Sequence, residues 1–138
     1  MSRNFVADAS VSVAWVHPAQ ATQQTEDLLE AVYAGAELHV PALWSLEVAN
    51  ALVVLVRRHK LTEAERTQAL AALRQFSVKV DQDGASLAFT KLSTLATEHG
   101  LGVYDAAYLE LAVRKKLPLA CKDGPLRAAA KRCRVKLA

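Results

Sequence analysis

The chain has 138 residues, 52% hydrophobic and 22% charged, with a net charge of +3. This balance excludes a disordered or fibrous protein and suits one globular domain, residues 1–138, with one core. The longest uninterrupted apolar run, Ala51 to Val56, is far below the ~18 residues of a membrane span, and the start MSRNFVADAS lacks the apolar centre of a signal peptide, so a cytoplasmic protein is expected.

Asn4 to Ala7 reads as a short apolar strand entering Asp8, and the segment Val11 to Val16 that follows can take Asp8 as its N-cap. Thr22 to Ala34 is helical by spacing, with Leu28, Leu29 and Val32 on one face, acids on the other and Gly35 as its stop. Leu38 to Val40, closed by Pro41, is a second strand. The run Leu43 to Arg58 is a largely apolar helix carrying Glu47 and ending in cations that suit the negative end of its dipole. Thr62 and Glu65 form a capping box for a helix that presents Leu70, Leu73 and Phe76.

Ser77 to Asp81 alternates as an edge strand does. A helix from Ala85 to His99 follows, with Leu92, Leu95 and Ala96 inward and Gly100 as its left-handed stop. After the short segment Leu101 to Val103, Asp105 opens another helix with Ala106, Leu109 and Val113 on one face. Pro118 to Cys121 is a strand, Gly124 to Cys133 a basic helix with Pro125 at its first position, and Val135 to Leu137 a last strand. Alternation of this kind predicts a central parallel β-sheet flanked by helices, a three-layer α/β/α fold.

In such sheets ligands bind beyond the carboxyl ends of the strands. Asp8 and Asp123 fall at strand ends, and Glu47 and Asp105 lie on helices that begin there, so all four can converge at one edge. Each also has a plain structural role: Asp8 and Asp105 as N-caps, Asp123 in an Asp-Gly turn, Glu47 in a polar stripe with Asn50 at i+3. Ionised carboxylates withdrawn from water together require a counter-ion, and oxygen donors select Mg²⁺ or Mn²⁺. Cys121 and Cys133 make no CxxC and the histidines show no metal-ligand spacing, which argues against zinc.

Residues 114–138 hold nine cations against Asp123 alone, a net +8, while the preceding residues sum to −5. A basic segment beside an acidic site suits a polyanionic substrate.

Together, DAS at Asp8, SLEVAN around Glu47 and Asn50, YDAAYLELA at Asp105 and CKDGPLRAAA at Asp123 resemble the PIN-domain nucleases, in order and across nearly the whole chain. The chain looks most like the toxin of a VapBC-type toxin–antitoxin pair. That resemblance implies metal-dependent cleavage of RNA phosphodiester bonds, with Asp8, Glu47, Asp105 and Asp123 as the acidic quartet and Ser10 as its hydroxyl neighbour. Asp8, Asp105 and Asp123 are the expected metal ligands, with Asn50 and Cys121 behind them. Lys122, Arg127 and Lys131 are the expected phosphate contacts. A cognate antitoxin and a homodimer are implied as well. The chain departs from the family pattern at Cys121, where Thr or Ser is usual. Two rivals predict otherwise: a non-catalytic nucleic-acid- or partner-binding module with a basic C-terminal face, whose acids are only caps, and a flavodoxin-like phosphoacceptor domain, which would want adjacent acids after the first strand.

Overall fold

The computed structural model describes residues 4–138; Met1 to Arg3 of the expected domain lie outside the described residues. Four parallel strands, β1 (Phe5–Ala7), β2 (Leu38–Pro41), β3 (Val78–Asp81) and β4 (Leu119–Ala120), form one sheet in the order β3-β2-β1-β4. The central strand β1 is buried along its whole length, as a strand covered on both faces must be. It pairs with β2 through Phe5 and Leu38 and with β4 through Val6 and Leu119. The expected edge strand is β3. The expected strand at Val135 to Leu137 shrinks to one bridge, Leu137 beside Leu119.

Helices flank this sheet in three layers. α1 (Ala9–Val16) packs on α3 (Trp44–Arg57) and on α2 (Gln23–Tyr33), with Trp44 Nε1 donating to the buried Ser12 hydroxyl at 2.9 Å. α4 (Glu63–Leu73) starts at the Thr62–Glu65 capping box as expected, but Phe76 lies beyond its end. α7 (Val103–Lys115) packs against β1 and β2, and α8 (Gly124–Arg132) packs on α7. One apolar cluster joins Phe5, Val6, Val11, Leu38, Leu52, Leu109, Leu119 and Leu126.

Several expectations need correction. The helix expected over Ala85 to His99 is three pieces in sequence: α5 (Gly84–Leu87), a wide π turn over Ala88–Leu92, and α6 (Ser93–His99), which Gly100 stops in the left-handed region at φ 64°. Residues 101–103 form no strand. Gly102 is the N-cap of α7, so Asp105 is its third residue and caps nothing. Val113 is 41% exposed, whereas Ala106 to Ala112 are all buried, because α7 is enclosed around most of its circumference rather than along one stripe. In α8 Gly124 precedes Pro125, which therefore falls at the second position.

Lys116, the C-cap of α7, and Arg134, two residues past the end of α8, are both left-handed, with φ 57° and 60°. Such a conformation costs an L-residue about 1–2 kcal/mol relative to glycine.

Candidate active site

Asp8 is placed by the sheet itself. Its N–H donates to the Ala120 carbonyl at 3.0 Å, so the β1–β4 ladder continues into the turn that carries Cys121 and Asp123. The Asp8 side chain is 7% exposed and accepts from Ser10 Oγ at 2.7 Å and from Val11 N at 3.3 Å. Asp8 is thus both the N-cap of α1 and a site carboxylate. Burial, and then the charge of Asp105, push its pKa up more than these two bonds pull it down.

Glu47 sits in the first turn of α3 and is raised by burial, then by the charges of Asp105 and Asp8. Its bonded partner is one that sequence reading missed. Tyr108 Oη donates to Glu47 Oε1 at 2.7 Å, from the middle of α7. Asn50, expected beside Glu47, is exposed and makes no side-chain hydrogen bond among the described residues. Within YDAAYLELA, Tyr108 falls one turn after Asp105, so the helical spacing that placed Asp105 held the signal for it.

Asp105 is half-buried and its carboxylate accepts no hydrogen bond among the described residues; burial and the charge of Asp123 raise its pKa. Asp123 is exposed and caps α8, accepting from Leu126 N at 2.9 Å. The four acids therefore form one repelling chain, from Asp123 to Asp105 to Asp8 and Glu47. Among the described residues, no lysine or arginine is among the groups acting on Asp8, Glu47 or Asp105. As the side chains stand, no three acid, histidine or cysteine side chains among the described residues converge closely enough to grip a single ion.

Cys121 is fully buried in the same neighbourhood. Burial, and then the charge of Asp8, push its thiol up to about 12, so it stands there as a neutral group. A groove of about 390 Å³ between α1 and α3 opens beside Ser10 and Glu47. A larger cavity, about 820 Å³, lies between α2 and Pro118 and contains none of the four acids.

The cations expected to serve this site are differently employed. Lys122 Nζ donates to the Gln20 carbonyl at 2.6 Å and Arg127 Nη1 to the Cys121 carbonyl at 3.1 Å, so both brace the turn that carries Asp123. Lys131 lies near the far end of α8. Arg114 is held by Asp81 at 2.8 Å and by Glu110 at 2.9 Å. The +8 segment is therefore not a patch beside the acids. It divides between the two edges of the sheet, because α7 and α8 both run back from the acidic edge.

A three-layer fold around a parallel sheet, with four acids at the carboxyl edge of its strands, defines a class. The PIN domain model matches residues 5–132, and the chain belongs to the PIN-domain family. It is similar to Ribonuclease VapC3 of Pyrobaculum aerophilum, 36% identical over 108 residues, which cover 78% of this chain and 80% of that protein. The fold matches the crystal structure of PAE2754 from Pyrobaculum aerophilum with a TM-score of 0.68 at 25% identity, over 94% of this chain and 81% of that one. It also matches VapBC2 from Rickettsia felis, solved bound to a DNA fragment from their promoter, with a TM-score of 0.66 at 12% identity, over 97% and 96% of the two chains.

Proposed function

We propose that this protein is a metal-dependent endoribonuclease, the toxin of a VapBC-type pair, which hydrolyses RNA phosphodiester bonds with Mg²⁺ or Mn²⁺. The observation that carries the metal is the mutual repulsion among Asp8, Glu47 and Asp105, with no cation beside them and Asp105 the one acid of the quartet without a hydrogen bond among the described residues. The donor set fits a hard divalent cation: it is all oxygen, and the one thiol present is neutral. Asp8, Asp105 and Asp123 would hold the ion, which requires their side chains to draw closer together than in the arrangement described.

A cation bound there supplies a lowered pKa for the attacking water and neutralises charge on the phosphoryl oxygens. The residues of the chain hold the geometry. Ser10 fixes one oxygen of Asp8, Tyr108 fixes one oxygen of Glu47 and leaves the other able to accept a proton from water, and the Lys122 and Arg127 braces keep the Asp123 turn on the sheet. Likeness to VapC3 supports RNA as substrate. Likeness to VapBC2 supports a cognate antitoxin, with a homodimer and a cytoplasmic location as parts of the same reading. None of the helices among the described residues is long and apolar enough to cross a membrane.

The capping bonds of Asp8 and Asp123 are what a non-catalytic binding module would also show. Incubation with structured RNA in Mg²⁺, Mn²⁺ or EDTA, beside Asp105→Asn, separates the two. Cleavage that needs metal and is lost in the variant is expected; equal cleavage by both proteins, or cleavage persisting in EDTA, would sink the nuclease reading.

A further inference from the structure

The turn after α7 leads directly into β4, and the turn after α8 lies beside the start of β4, where Lys136 O accepts from Leu119 N at 2.8 Å. Both therefore sit at the amino edge of the sheet, opposite the acids. There Lys116, Arg134 and Lys136 line one groove of about 300 Å³ with Val113, Pro118 and Cys133, and no acid is among its lining residues. None of these three cations has an ion-pair partner within 4.0 Å among the described residues.

Cations at helix C-termini often only offset the dipole. Two helix ends contribute about one negative charge between them, so three cations leave the groove clearly positive. Two of the three occupy left-handed positions where glycine or asparagine is the less strained choice. Basic side chains thus stand at a backbone cost that glycine would avoid, as His59 does elsewhere.

We infer that the groove of Lys116, Arg134 and Lys136 binds the phosphate backbone of RNA at a second site, remote from the bond that is cut. This rests on the nuclease reading for its substrate but not for its own test. The thirteen residues of α7 separate the two edges by about 20 Å. An RNA that reaches both edges must therefore be a folded or extended molecule of some length, and a few nucleotides at the acids cannot touch the groove. The site would select long structured RNA over short fragments without reading sequence.

The probe is a hairpin RNA of roughly 20 nucleotides beside a four-nucleotide RNA. Binding is measured in EDTA, which leaves the strands intact, over a range of salt. In Lys116→Asn/Arg134→Asn/Lys136→Gln, where asparagine keeps the left-handed turns, affinity for the hairpin should fall about tenfold or more. The slope of log affinity against log salt should flatten by roughly two to three. Cleavage of the four-nucleotide RNA in Mg²⁺ should match that of the unaltered protein. Unchanged hairpin affinity and slope would overturn the inference.

A second measurement needs no substitution. Cys133 lines the groove and is partly exposed, while Cys121 is fully buried. Hairpin RNA should slow alkylation of Cys133 severalfold, and raised salt should abolish the protection. Protection by polyglutamate but not by RNA would overturn the proposal in favour of an acidic protein segment. Failure of the nuclease reading looks different: no RNA of either length is cut with any metal, while the EDTA binding results stand.

Discussion

Tyr108 and Glu47 are 61 residues apart in sequence and 2.7 Å apart between phenol and carboxylate. The phenol is 1% exposed, and burial together with the nearby carboxylate holds its pKa far above the usual range, so it stays a donor at every working pH. Tyr108→Phe removes that donor with little change of shape. A hydrogen bond to a charged group contributes about 1.5–3 kcal/mol, so cleavage should fall roughly ten- to a hundredfold. The bond lowers the pKa of Glu47, and without it the carboxyl rises further. The acid limb of the pH–rate profile should therefore move to higher pH. A profile that drops without shifting would mean Glu47 is not a titrating group in the reaction.

Asp105 is held at a raised pKa by burial and by Asp123. For an acid this means full stability below its ordinary pKa of 3.8 and a loss as pH rises through the folded value. Asp105→Asn should accordingly stabilise the metal-free protein at neutral pH, raising Tm by roughly 2–6 °C. The gain should vanish below about pH 3.8. Added Mg²⁺ should raise the Tm of the unaltered protein more than that of the variant. Thermal melts in EDTA and in Mg²⁺ across that pH range decide both points.

Arg114 joins Asp81 at the end of β3 to Glu110, which is 2% exposed and, among the described residues, otherwise reached only by Lys91 at 3.7 Å. Arg114→Met strands that buried carboxylate. Since the Arg114 side chain is itself 25% exposed, the cost is set at about 2–3 kcal/mol, below the range for a fully buried pair. Chemical denaturation should show this loss at pH 7, with Glu110→Gln in the same chain restoring part of it. The Arg114 bonds lower the pKa of Asp81, so this contribution is present above 3.8 and lost as pH falls through the depressed value. The variant should thus lose less stability on acidification than the parent.

Cys121 is a neutral thiol among carboxylates. Cys121→Thr provides a stronger donor at the position where the family usually has Thr or Ser. Mg²⁺ affinity, read by calorimetry, should rise several-fold, and native Cys121 should resist alkylation until the protein is unfolded. Unaltered affinity would show that the residue does not communicate with the metal.

What the sequence determined by itself is short in range. The strand leading to Asp8, the caps at Asp8 and Thr62, and the stop at Gly100 follow from bonds within three or four residues and from apolar alternation, and all stand in the structure. Order along the chain was enough to bring four acids to one edge, because in a parallel sheet every strand ends on the same side. Tertiary structure decided the rest. Helical spacing offered Asn50 as the polar neighbour of Glu47, yet the packing of α7 across β1 and β2 brings Tyr108 to it instead. Val113 obeys the same spacing as Leu109 yet faces solvent, since the enclosure of a helix depends on what surrounds it. The charge excess of the last 25 residues was visible as a number, but helix direction and length assign its members to opposite edges. A net charge has no position until the chain folds.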